Sequence, residues 1–150
     1  MPPGTGDIQL TLSQQVPLTG AVVVTTPQDI ALIDAKKGLR MFQKVNVPIL
    51  GIIENMSVFI CPHCGEVEHI FGEGGAKRMS EQYGVPLLGE LPLSAKIREQ
   101  ADSGLPTVAA EPDGKEALMY REMAMKVAGA LARITKDYTA KMPGIRVVND

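Results

Sequence analysis

Ala21-Val22-Val23-Val24-Thr25 is a continuous run rich in β-branched residues, of the kind found in strands buried on both faces of a parallel sheet. A helix should follow at once. Thr26 is expected as its N-cap, Pro27 at its first position, and Asp29 in the first turn, where the helix dipole favours an acid. Leu32, Ala35, Leu39 and Phe42 then recur at helical spacing, a stripe that should lie on the sheet. Val47 to Ile53 reads as a second strand, so residues 21–53 form a strand-helix-strand crossover, which implies parallel pairing. Further on, the pattern predicts a helix over Ala76 to Tyr83, a strand over Val85 to Leu88, and a helix over Ser94 to Ala101 capped by Ser94. Lys115 to Tyr138 reads as a long helix with Tyr120, Ala124, Val127, Leu131 and Ile134 on one face and charge on the other.

Two stretches break this alternation. Residues 56–75 lack any helical period, and a segment of that length inside a compact domain usually signals a functional insertion. Val67, His69 and Phe71 alternate within it, which argues for a hairpin. The first seven residues, Met1-Pro2-Pro3-Gly4-Thr5-Gly6-Asp7, have the composition of a loop that follows a strand, yet no strand precedes them. The sequence therefore reads as beginning partway through a domain. Asp7 should cap a short helix through Ile8, Leu10, Leu12 and Gln15, ended by Pro17 and Gly20. The resulting expectation is an α/β fold, an open parallel sheet with flanking helices, in one domain over residues 1–140. Residues 141–150, with Pro143 and Gly144, are expected to be a flexible tail.

Composition narrows the partners. The chain has 150 residues, 45% of them hydrophobic, enough for one core. A net charge of -2, from 15 basic and 17 acidic residues, supplies no field for nucleic acid or anionic lipid. No apolar run approaches the roughly 20 residues that span a bilayer, and no basic stretch with an apolar core opens the sequence. A cytoplasmic protein that binds neither nucleic acid nor membrane is expected.

The chemistry is concentrated at strand ends and in the insertion. In open parallel sheets, ligands sit beyond the C-terminal ends of the strands, here Thr25-Thr26-Pro27-Gln28, Glu54-Asn55-Met56 and Leu91-Pro92-Leu93-Ser94. Asn55 stands out because an amide both donates and accepts, as pairing with an adenine edge requires; capping a local turn is the alternative. The opening loop with Gly4, Gly6 and Asp7 could bring backbone amides to a phosphate. A Gly-rich loop ending Gly-Lys-Ser or Gly-Lys-Thr is absent from the sequence. Gly72-Glu73-Gly74-Gly75 reads instead as the return loop into the next helix.

Cys61-Pro62-His63-Cys64-Gly65 contains the only two cysteines, and by chance about 1% of cysteine pairs would fall at this spacing. Two thiolates in such a turn can grip one tetrahedral ion or one edge of a cluster, with Gly65 allowing the tight return. Two ligands are half of what zinc or a cubane cluster needs. A two-fold dimer would supply the other two by symmetry. Alternatives are an intrachain zinc site completed by His63 or His69, or a thiol-disulfide oxidoreductase, which would want Cys61 at a helix N-terminus.

Together these stretches resemble the Mrp/ApbC family of P-loop ATPases that carry iron-sulfur clusters, relatives of the MinD-type deviant Walker proteins. The matching segments are residues 1–10, Val24-Thr25-Thr26-Pro27-Gln28, Gly51-Ile52-Ile53-Glu54-Asn55-Met56-Ser57 and Cys61-Pro62-His63-Cys64-Gly65. Phe71-Gly72 with Gly74-Gly75, Gly89-Glu90-Leu91-Pro92-Leu93 and Ile97-Arg98-Glu99 extend the match. The resemblance implies the second half of a P-loop NTPase-like domain. It also implies a homodimer holding a [4Fe-4S] cluster between Cys61 and Cys64 of each subunit, for delivery to apo iron-sulfur proteins. Asn55 and the segment around Pro92 would contact the base of ATP, and the opening loop would lie beside the γ-phosphate. ATP and Mg2+ would act in the full-length protein. Walker A and the Walker B aspartate are not in this sequence, so it is expected not to hydrolyse ATP by itself. Cluster binding is expected to remain, and zinc in place of the cluster would make the chain a stapled dimerisation module without transfer activity.

Overall fold

The computed structural model describes residues 16–134 together with 11, 13 and 15. The opening loop, most of the first short helix and residues 135–150 lie outside the described residues, so the expectations made for them are not addressed. Three strands, β1 (Ala21–Thr25), β2 (Ile49–Glu54) and β5 (Leu87–Glu90), form a parallel sheet in the order β1-β2-β5. Two short strands, β3 (Phe59–Ile60) and β4 (Val67–Glu68), pair antiparallel within the insertion. The helices are α1 (Asp29–Lys44), α2 (Gly75–Tyr83), α3 (Ala95–Asp102), α4 (Thr107–Ala110) and α5 (Lys115–Ala132). The expected α/β fold with a cysteine-bearing hairpin is therefore present.

Alternation along the strands sends successive side chains to opposite faces, and the two faces are covered differently. On one face, Val23 and Ile52 join Leu32 and Leu39 of α1, Ala76 and Met79 of α2, and Val85 in a single buried cluster. On the other, Val22, Val24 and Ile53 look towards Tyr120, Met123 and Val127 of α5 across an open groove. β1 ends the strand order, and Val24 remains 60% exposed.

Several boundaries differ from the sequence pattern for identifiable reasons. Val47 and Val85 are buried, but each spends its N–H on the end of the preceding helix, Val47 on Phe42 O at 2.9 Å and Val85 on Ser80 O at 3.1 Å. Each strand consequently starts two residues later than its apolar run and ends on a glutamate, Glu54 or Glu90. Thr26 does not cap α1: Gln28 is the N-cap, and Thr26 Oγ1 donates to Gln28 Oε1 at 3.3 Å. Pro27 accordingly lies outside the helix, whose first residue is Asp29. Ser94 does cap α3, accepting from Ile97 N–H at 3.4 Å. α4 is too short to show a period. α5 ends at Ala132 with Arg133 as its C-cap, earlier than the pattern implied, and its outer surface exposes Leu118 and Met125 among the charges. Among the described residues, no helix is long and apolar enough to cross a membrane.

Candidate functional site

Because the three strands run in parallel, their C-terminal ends meet along one margin of the sheet. Asn55 N–H donates to Thr25 O at 2.7 Å and Leu91 N–H to Glu54 O at 2.8 Å, which brings the three predicted segments together. Asn55 and Leu91 border the groove of about 690 Å³ whose floor is Val22, Val24 and Ile53. Pro92, the next residue along, is half-buried. Asn55 Oδ1 accepts from Met56 N–H at 3.0 Å, and Met56 adopts a left-handed φ of 57°. The turn-capping role considered for Asn55 is therefore present. It uses only the oxygen, since an N–H can only donate to it, and leaves the Nδ2 donor for another partner.

The insertion leaves the sheet at Asn55 and returns at Gly75, and its neck is stitched on both sides. Ser57 donates twice to Leu91 O, from its N–H at 2.9 Å and from Oγ at 3.1 Å. Leu93 N–H donates to Val58 O at 2.8 Å, and Phe59 bridges to Leu93 in parallel. On the return side, the buried Glu54 carboxylate accepts from Ala76 N–H in the first turn of α2 at 2.5 Å, where the helix dipole favours an acid. A Cβ on Gly75 would stand 2.8 Å from Pro27 O and 3.0 Å from Pro27 Cα, so only glycine lets the return loop lie against the end of β1. His69 Nδ1 lies 3.3 Å from Ser57 O, a contact that makes this nitrogen the donor. A cavity of about 350 Å³ at the neck is bordered by Glu54, Ser57, His69, Glu73, Lys77 and Glu90.

Above the neck, Phe59 pairs with Glu68 and Ile60 with Val67, and the cysteine turn joins the two strands. Cys61 N–H donates to Glu66 O and Gly65 N–H to Cys61 O, both at 2.9 Å, with Gly65 at a φ of 75°. Both thiols are free; Cys61 is partly exposed and Cys64 exposed. The Cys64 N–H, then the His63 N–H and the Cys64 side chain, hold the Cys61 thiol below its ordinary pKa, against burial and the nearby Glu68. A turn that stabilises thiolate is suited to a metal or cluster edge, and the two sulfurs fit that chemistry.

This geometry bears on the alternatives. Among the described residues, no group of three or more His, Cys, Asp or Glu side chains is arranged to hold a metal ion. His69, offered as an intrachain ligand, directs Nδ1 at the neck instead. Cys61 follows a strand rather than opening a helix, so the turn amides perform the role that a helix dipole has in disulfide oxidoreductases. Gly4, Gly6 and Asp7 lie outside the described residues. Sequence reasoning gave no role to Glu54 or Ser57. A carboxylate closing the apolar run Leu50-Gly51-Ile52-Ile53 was the available signal for Glu54, since a buried acid demands a donor.

A parallel sheet with helices on both faces and an insertion after its middle strand defines an open α/β protein with its ligand margin at the strand C-termini. Within that class, the family model described as NUBPL iron-transfer P-loop NTPase matches residues 1–128, and the chain belongs to this family. The iron-sulfur cluster carrier protein of Pseudomonas fragi is 61% identical over 125 residues, covering 83% of this chain and 44% of that protein. The carrier protein of Escherichia coli K12 is also 61% identical, over 131 residues, 87% of this chain and 36% of that protein. The iron-sulfur cluster transfer protein NUBPL of Mus musculus is 53% identical over 85% of this chain and 40% of its own length. Among solved structures, a nucleotide-binding protein of Archaeoglobus fulgidus in complex with ADP superposes with a TM-score of 0.64. It is 34% identical, covering 80% of this chain and 48% of that one. The cell division ATPase MinD of Pyrococcus furiosus gives a TM-score of 0.58 at 26% identity, over 74% of this chain and 43% of that one. The chain thus spans less than half the length of each of these relatives.

Proposed function

We propose that the chain carries the cluster-holding part of an iron-sulfur cluster carrier, which delivers its cargo to apo iron-sulfur proteins and couples delivery to ATP binding or hydrolysis. The observation that carries this reading is the thiolate-favouring turn of Cys61 and Cys64 on an insertion that starts directly after Asn55. Cluster-carrier relatives at 61% identity support it. The cargo is a [4Fe-4S] cluster shared between two subunits, each contributing Cys61 and Cys64. Ligand arithmetic supports the homodimer, because two thiolates leave a four-coordinate site half filled. The surface agrees: Ile60, Val67 and Ile70 are all exposed on the hairpin beside the cysteines, an apolar patch suited to a second copy.

In this reading Asn55 and Pro92 contact the adenine, and Gly4, Gly6 and Asp7 lie towards the phosphates and their Mg2+. The Archaeoglobus relative, solved in complex with ADP, supports a nucleotide as the ligand. The described residues belong to the C-terminal part of the ATPase domain, and the protein works in the cytoplasm. The chain by itself does not turn over ATP, since no Gly-Lys-Ser or Gly-Lys-Thr loop is present in it.

Anaerobic reconstitution with iron and sulfide tests the reading. The expected product is a brown dimer with about four irons per two chains, the content of a cubane cluster. Stoichiometric zinc with no sulfide-dependent colour would instead identify a stapled dimerisation module. ATPase turnover well above background in the purified chain would contradict the assignment of phosphate chemistry to segments absent from it.

A further inference from the structure

The stitching of the neck has a direction to it. Leu91-Pro92-Leu93 follows β5 at the sheet margin, whereas Ser57-Val58-Phe59 is the first arm of the cysteine hairpin. Although 34 residues separate Ser57 from Leu91, one carbonyl receives both Ser57 donors, and Leu93 answers with its own N–H to Val58 O. Ser57 is only 7% exposed, so water competes poorly for these bonds. The Ser57 carbonyl accepts from His69 Nδ1, which ties the returning arm to the same residue. From Ser57, four residues of chain lead to Cys61.

We infer that Ser57 is the positioning residue through which the Leu91–Leu93 segment and the cysteine pair sense each other. The inference rests on the carrier reading above and adds the route: a displacement of the base-side segment pulls on Ser57, and through it on both arms of the hairpin. Coupling of this kind is reciprocal, so occupancy of the sulfurs must be felt at Leu93 as surely as the reverse. That reciprocity allows a test on the chain itself, with no nucleotide.

The probe is the iron-sulfur cluster reconstituted anaerobically on the 150-residue chain, and the readout is amide hydrogen exchange. In the unmodified chain, cluster loading is expected to change exchange at the Leu93 and Ser57 amides about five-fold or more, at the low end of typical coupling. Ser57→Ala removes the Oγ donor but keeps the backbone N–H; it should take up the same iron and sulfide and melt cooperatively, with a reduced change at Leu93. Ser57→Thr, which keeps the hydroxyl, should restore it. If Ser57→Ala keeps the full response at Leu93, or the unmodified chain loads its cluster with no response there, the clasp is wrong while the carrier reading stands. Should Ser57→Ala fail to load a cluster, Ser57 belongs to the cluster site's own scaffold and the coupling role is also overturned. Failure of the unmodified chain to take up iron and sulfide removes the carrier reading and the clasp with it.

Discussion

The parallel sheet and the cysteine hairpin adjoin in sequence, yet they are held together by different means. In the sheet, Leu39, Ile52 and Met79 are fully buried against one another, and burial of apolar surface supplies the stability. In the hairpin, Ile60, Val67 and Ile70 face outwards, and the strands pair over two residues each. An isolated two-stranded hairpin is marginal at best in water. Here its conformation depends on hydrogen bonds at the neck, from Ser57 and Leu93, and on the N–H groups of its own turn. The difference teaches where adaptability resides: the sheet gives a well-packed margin, while the sulfurs stand on an element with little core of its own.

Substitutions can separate the two regions. Cys61→Ala should have the largest effect, reducing reconstituted iron to background while shifting the melting temperature little, as iron analysis and thermal unfolding on the same sample would reveal. If it instead unfolds the domain, the hairpin and sheet are not independent. Leu39→Ala is the converse. It should cost about 2–5 kcal/mol in chemical denaturation, yet leave iron uptake per folded chain intact. Gly75→Ala strikes the seam between them, where the added methyl meets backbone atoms of Pro27, and should cost about 1–3 kcal/mol by the same assay.

The smallest expected effect concerns protons. The Cys61 thiol is held low, so its alkylation by iodoacetamide should show a midpoint below the roughly 8.5 of free cysteine. A depressed acid stabilises the folded form above its unfolded pKa, and that contribution fades as pH falls through the folded value. Metal uptake should therefore persist below the pH at which an unstructured Cys-x-x-Cys peptide loses it. Glu68→Gln should move the alkylation midpoint slightly lower still, because Glu68 opposes the thiolate. A midpoint for the unmodified chain at or above that of free cysteine would show that the turn amides do not govern Cys61, and an unchanged midpoint in Glu68→Gln would show that Glu68 does not oppose them.

What the sequence made legible follows the same division. Val22-Val23-Val24 and Ile52-Ile53 announce strands, and the Leu32, Ala35, Leu39 stripe announces the helix that covers one face; burial on both faces, which the first run implied, fails at Val24, 60% exposed over the groove. The cysteine spacing singled out the turn at Cys61 and Cys64, and the alternation after it the hairpin that carries this turn. The place of Asn55 at the sheet margin was legible from its position after a strand. The clasp was not legible, because Ser57 is one serine in an irregular loop and its partner is a backbone carbonyl 34 residues away. Strand ends were displaced for a related reason: apolarity marks Val47 and Val85 as buried, but hydrogen bonds to the preceding helix decide that they are not in the ladder.

Among the described residues β1 terminates the strand order, and beside it Val24 looks into an uncovered groove. A border of that kind invites accretion of further chains. If the proposed cluster-bridged dimer forms as well, material purified as this polypeptide will associate by two routes that a sizing column cannot tell apart. Chelation discriminates between them: a cluster-bridged pair comes apart once its iron is stripped, whereas assemblies grown along the β1 border ignore the chelator and enlarge with concentration.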